Sequence, residues 1–134
     1  SFKNNQPMRA AKMVEVSRLV TGLADVAVPP NRCIVGEKLY DIESGIIVSW
    51  LKNAGVDFPT ELVPYRAGLV GQTEPKPVIG KGSGIDSIVW FLEELGITAT
   101  QEEMMALLMD VKEKAFEVNR LLTMEEFKEL AGAE

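Results

Sequence analysis

The chain contains no histidine and only one cysteine, Cys33. Without histidine it lacks the commonest general base near neutral pH and the commonest transition-metal ligand. One cysteine excludes an internal disulfide, and a zinc site made by this chain alone is not expected. Long hydrophobic runs are missing too. No segment is long enough to span a bilayer, and the first residues, SFKNNQPMRAAKM, hold no apolar core of signal-peptide length. Positive charge is scarce: 14 Lys and Arg against 20 Asp and Glu leave a net charge of −6. No basic patch is interleaved with aromatics, which argues against nucleic acid or an anionic membrane as a partner. A reducing compartment, the cytoplasm, is the expected location.

What is present is an ordinary globular composition, 46% hydrophobic and 25% charged over 134 residues, too apolar for disorder and long enough for one sizeable core. After Pro7, residues 8 to 23 read as a helix. Met13, Val16, Val20 and Leu23 recur at helical spacing, Lys12, Glu15 and Arg18 fall on other faces, and Gly22 marks the expected end. VAVPPNRCIVGE follows, with Pro29-Pro30 forbidding a continued helix, and reads as an extended connector. Cys33, in apolar surroundings without a histidine, is expected to be a buried, inert thiol.

Residues 42 to 54, IESGIIVSWLKNA, suit a helix presenting Ile46, Ser49, Trp50 and Asn53, although the β-branched run also suits a strand. Residues 55 to 77 carry four prolines and three glycines and read as a long irregular segment. A short apolar strand at 78 to 79 then leads into a glycine-rich turn and a helix over 85 to 95, closed by Gly96. Thr100 with Glu103, and Thr123 with Glu126, form two capping boxes. The first opens a helix with an apolar stripe of Met104, Leu108, Val111, Ala115 and Val118; the second opens a short helix carrying Phe127 and Leu130. The methionines Met104, Met105 and Met109 read as packing. The fold class is therefore mainly α: a small helical subdomain plus an irregular proline- and glycine-rich linker with little β. The chain opens on a helix without an initiator methionine and reads as a piece of something larger.

Three places carry candidate chemistry. Gly80, Gly82 and Gly84 alternate with Lys81 and Ser83 ahead of a helix. Free amides, the positive end of the helix dipole and a lysine could hold an anion. The spacing is neither a Walker loop nor G-x-G-x-x-G, and the alternative is a strand-to-helix turn that needs positive φ, capped by Ser83 or Asp86. Asp41 and Glu43 could serve acid–base or metal chemistry, or simply oppose a helix dipole. Tyr65-Arg66, in the proline-rich stretch, suits a substrate carboxylate or a partner surface.

Taken in order, EVSRLVTGLADVAVPPNRCIVGEKLYDIESGI, VIGKGSGIDS and LLTMEEFKEL resemble the C-terminal part of the isopropylmalate synthase and homocitrate synthase family, within the superfamily that also holds hydroxymethylglutaryl-CoA lyase. PPNRCIVGE, ESGI and GKGSG are the most specific stretches. The resemblance implies an N-terminal (β/α)8 barrel, absent here, that carries a divalent metal and condenses an acyl-CoA such as acetyl-CoA with a 2-oxo acid. No cofactor is expected in this chain, and no metal ligands.

On the same resemblance, residues 1–25 are the last barrel helix or its remnant, 26–79 a linker subdomain and 80–134 a helical subdomain. Such a region dimerises the enzyme and covers the active site on the barrel of its own or the partner subunit. The expected state is a homodimer, with Glu43, Tyr65 and Arg66 as catalytic candidates and Lys81, Gly82, Ser83 and Gly84 as candidates for anion or CoA binding. The family's His-Glu-Ser-Gly-Ile-His is here Ile42-Glu43-Ser44-Gly45-Ile46-Ile47, and its Gly-Lys-His-Ser-Gly-Arg-His is Gly80-Lys81-Gly82-Ser83-Gly84-Ile85-Asp86. The tyrosine that normally follows Pro-Ser/Thr has no counterpart beside Thr60-Glu61, although Tyr65 is near in sequence. These departures mark a diverged branch. The alternatives are a lyase or aldolase of the same superfamily, a stand-alone interaction module without catalysis, or a CoA- or nucleotide-binding domain built on the glycine loop.

Overall fold

The computed structural model describes residues 9–54 and 59–132. The chain is mainly helical. In order it contains a 3-10 turn at Ala10–Lys12, α1 at Met13–Ala24, β1 at Asp41–Ile42, α2 at Gly45–Ala54, 3-10 turns at Pro59–Glu61 and Ala67–Val70, β2 at Lys76–Pro77, α3 at Ile85–Leu95, α4 at Gln101–Val118 and α5 at Met124–Leu130. Contacts divide it into two compact units, one of residues 1–40 and 63–75, the other of 41–62 and 76–134. The stretch 26–79 thus contributes to both.

In the first unit the turn at Ala10–Lys12 packs against the turn at Ala67–Val70. Gly71 closes the second turn with φ +82°, and a Cβ there would stand 2.3 Å from the Ala11 carbonyl oxygen. Only glycine meets both demands. α1 runs through Gly22 and ends at Asp25, which takes the left-handed conformation, so Gly22 is a helical residue and not the terminator. Val14 is buried, whereas Val16, Leu19, Val20 and Leu23 are all exposed, Leu23 by 79%. The helical spacing of Val16, Val20 and Leu23 is real, and their face points outward.

The segment after α1 is wound rather than extended. Arg32 N–H donates to the Pro29 carbonyl, Gly36 N–H to Arg32 and Lys38 N–H to Pro30. Ile34 lies in the left-handed region at φ 71°, a costly place for a β-branched residue. Two hydrogen bonds of 2.9 Å from the Gln72 side-chain amide, to the carbonyls of Ile34 and Gly36, hold the turn. Cys33 is exposed, contrary to the expected buried thiol, because this winding turns its side chain out of the short hydrophobic run.

The second unit holds the core. Ile79, Ile88, Phe91, Leu92, Leu107, Val111, Ala115, Leu122 and Phe127 form one buried cluster. Phe91 and Phe127 meet with ring centroids 5.5 Å apart at 52°, within the favourable range for tilted aromatic pairs. The expected stripe on α4 faces this cluster, with Met104, Leu108 and Val118 packed at its edge and Leu107 added to it. Met105 and Met109 are exposed, as is Phe116, so two of the three methionines do not pack the core.

On α2 the buried residues are Gly45 and Val48. Ile46 and Trp50 lie exposed, so the face read from the sequence points outward. Gly55, which the sequence suggests as the end of this helix, lies outside the described residues. Both capping boxes are formed: Thr100 Oγ1 accepts from Glu103 N–H and Thr123 Oγ1 from Glu126 N–H, with each glutamate returning a bond to the threonine N–H. β1 and β2 pair in parallel, Asp41 opposite Lys76 and Ile42 opposite Pro77. The strand therefore lies two residues ahead of its expected position at 78 to 79, where Ile79 instead bridges to Leu122. Among the described residues no helix is long and apolar enough to cross a membrane.

Candidate functional site

Glu43 follows β1 directly, and the parallel pairing of β1 with β2 delivers it to the loop that follows β2. Val78 N–H donates to the Ile42 carbonyl, extending the register by one bond towards that loop. Glu43 Oε1 accepts from Gly82 N–H at 2.8 Å. Gly80 lies under the same carboxylate: a Cβ on it would be 2.5 Å from Glu43 Oε1 and 2.9 Å from Leu121 Cδ2. A Cβ on Gly82 would stand 3.1 to 3.4 Å from the carboxylate atoms.

The loop also satisfies itself. Gly80 N–H donates to Ser83 Oγ at 3.0 Å, and Ser83 N–H returns to the Gly80 carbonyl at 3.1 Å. Gly84 then caps α3 in an extended conformation with no side-chain cap bond. Neither Ser83 nor Asp86 caps the helix. None of Gly80, Gly82 and Gly84 has positive φ. Close approach, not a left-handed backbone, is what requires glycine here.

Gly84 packs on Gly45 at the start of α2, where a Cβ on Gly45 would be 2.6 Å from Gly84 Cα. The stretches ESGI and GKGSG, 35 residues apart in sequence by their glycines at 45 and 80, are thus two halves of one contact. Beside it lies a small cavity of about 200 Å³ lined by Glu43, Lys81, Ala115, Asn119, Arg120 and Leu121. Lys81 Nζ stands 5.8 Å from the Phe116 ring centroid, a cation–π distance. Arg120 is engaged elsewhere. It grips Glu126 in a two-pronged pair of 2.7 and 2.8 Å and donates to the Leu121 carbonyl. That grip, with the Thr123 N–H bond, holds the Glu126 carboxyl down at about 2.

Of the residues expected to act together, Glu43, Lys81, Gly82, Ser83 and Gly84 form this one cluster. Tyr65 and Arg66 belong to the first unit. There Tyr65 lies near Tyr40, whose hydroxyl is pushed up to about 12, first by burial and then by the neighbouring Tyr65 hydroxyl. Arg66 is exposed at the start of the 3-10 turn Ala67–Val70. Asp41 faces Lys76 across the strand pair at 3.6 Å. Among the described residues no three of His, Cys, Asp or Glu stand together as a metal-binding group. Sequence reasoning missed Leu121 and Asn119 as walls of the cavity, and nothing in their local spacing marks them. It also missed Ser87, whose fully buried hydroxyl has no hydrogen-bond partner in the structure.

No protein-family model matches the chain. It is 40% identical over 107 residues, 79% of its length, to a probable 2-isopropylmalate synthase of Methanopyrus kandleri. Over 119 residues, 89% of its length, it is 34% identical to homocitrate synthase 1 of Nostoc. A match of 34% over 108 residues joins it to the (R)-citramalate synthase of Methanocaldococcus jannaschii. These alignments span only 20%, 30% and 21% of the respective relatives.

Proposed function

Because this chain belongs to the isopropylmalate, homocitrate and citramalate synthase family, we propose that it is the C-terminal region of an enzyme condensing an acyl-CoA with a 2-oxo acid. Its part is to join two subunits and to cover the active site of the barrel, and alone it is inactive. The divalent metal of the reaction belongs to the barrel; no grouping among the described residues offers ligands for it.

The observation that carries this reading is the outward stripe of α1. Val16, Leu19, Val20 and Leu23 stand at i, i+3, i+4 and i+7, the pattern of a helix face made to be covered. A last barrel helix has this requirement, since its inner face packs on the strands. Covering a side chain of this kind is worth about 1.5–3 kcal/mol, so leaving four of them in water is a sizeable standing cost. Ile46 with Trp50 on α2 and Met105 with Met109 on α4 repeat the pattern in the second unit. Large exposed apolar groups of this kind mark surfaces that meet another protein.

Arg66 and Tyr65 are the residues assigned to reach the substrate, the guanidinium suiting a carboxylate. Ile47 stands where the family motif has its second histidine, and any proton that histidine would carry falls to another group here. The test is thiol release from acetyl-CoA in the presence of a 2-oxo acid. The isolated chain gives none, and turnover without a barrel would end the proposal. A lyase of the same superfamily makes the same demand on α1 and is separated from a synthase by assaying cleavage.

A further inference from the structure

We propose that Glu43 is the resident anion of the glycine loop, its carboxylate filling the place that an external phosphate or carboxylate would need. The inference stands on the geometry of the second unit alone and does not depend on the enzyme reading.

A glycine-rich turn before a helix captures an anion by pointing free backbone amides at it. In this loop three such amides are taken. Gly82 N–H donates to Glu43 Oε1 at 2.8 Å, Gly80 N–H to Ser83 Oγ, and Ser83 N–H to the Gly80 carbonyl. The carboxylate lies so close over Gly80 and Gly82 that a methyl group on either would meet it within 3.4 Å. The two glycines are therefore shaped around a carboxylate that the chain itself supplies. Lys81 lines the same small cavity, with its ammonium over the Phe116 ring. The arrangement uses the logic of an anion site for an internal purpose. It ties the start of α2 to the start of α3, next to the Gly45–Gly84 contact.

Removing the side chain should turn an occupied cradle into an open one. In Glu43→Ala the chain should melt at a lower temperature, and acetate should restore part of the loss beyond what chloride does at equal ionic strength. The wild-type chain should melt alike in the two salts and should give no saturable heat with inorganic pyrophosphate. Should Glu43→Ala fail to fold, Glu43→Gln keeps an acceptor oxygen without the charge. Charge-assisted bonds are roughly twice as strong as neutral ones, so its Gly82 amide should exchange with solvent about five to ten times faster than in the wild type. Acetate acting equally on Glu43→Ala and wild type would overturn the proposal. So would equal Gly82 exchange in Glu43→Gln and wild type, or pyrophosphate binding by the wild type that shifts the Gly82 resonance.

Discussion

Gly45 and Gly84 meet backbone to backbone, the first residue of α2 against the residue that caps α3, so close that a Cβ on Gly45 would lie 2.6 Å from Gly84 Cα. This contact lets two helices begin side by side and brings the Glu43 carboxylate over the loop. Neither backbone can give way as a flexible side chain could. Gly45→Ala should therefore destabilise the chain by about 1–3 kcal/mol, the usual range for forcing extra volume into a packed site. Gly22→Ala is the control. Nothing lies within 4 Å of a Cβ there, and the residue is helical, so the substitution should stabilise by about 0.5–1 kcal/mol. Urea denaturation of the two variants measures both effects.

Ser87 sits fully buried on α3 with an unpartnered hydroxyl beside the core residue Ile88. A buried polar group without a partner costs about 1–3 kcal/mol. Ser87→Ala removes that cost while losing one small atom of packing, so the thermal midpoint should rise. Phe127→Ala is the opposite case. Its ring is completely buried against Phe91, and its loss should cost about 3–5 kcal/mol and leave the helical unit largely unfolded.

The acid side of the stability curve should carry the signature of Glu126. Its carboxyl lies at about 2 in the folded chain against an ordinary 4.5, chiefly through the Arg120 hydrogen bond. A lowered folded value means a contribution that is complete above about 4.5 and disappears as the pH falls through about 2. Glu126→Gln should flatten the loss of melting temperature over that interval relative to the wild type.

The alkaline side should report Tyr40. Burial, with the neighbouring Tyr65 hydroxyl, lifts the hydroxyl from 10 to about 12, so its contribution is complete below 10 and is lost as the pH rises through about 12. The chain has two tyrosines. A tyrosinate absorbance titration of the wild type should show a late step near 12, and that step should be absent in Tyr40→Phe.

Local chemistry in the sequence foretells the last three helices of the second unit well. Gly96 and the Thr100–Glu103 and Thr123–Glu126 boxes act through residues three apart, so α3, α4 and α5 are legible almost to the residue. The face of α1 is legible as a period but not as a direction, because Val16, Val20 and Leu23 turn outward. The glycine loop is legible as a composition. The reason for its glycines lies 39 residues away from Gly82, in Glu43, and sequence spacing carries no trace of that contact. Cys33 was beyond reach for a similar cause, since the left-handed Ile34 beside it depends on the Gln72 amide from the far end of the unit.

The claim beneath the functional reading is that the α1 stripe is covered by a barrel. The most direct measurement places a photo-reactive benzoyl-phenylalanine at position 19, in place of the exposed Leu19, within a protein that carries this chain together with its barrel. Irradiation followed by peptide mass spectrometry should find the label bonded to barrel strands or to the neighbouring barrel helix. A label that reacts only with solvent, in a protein that is folded and active, would contradict the account.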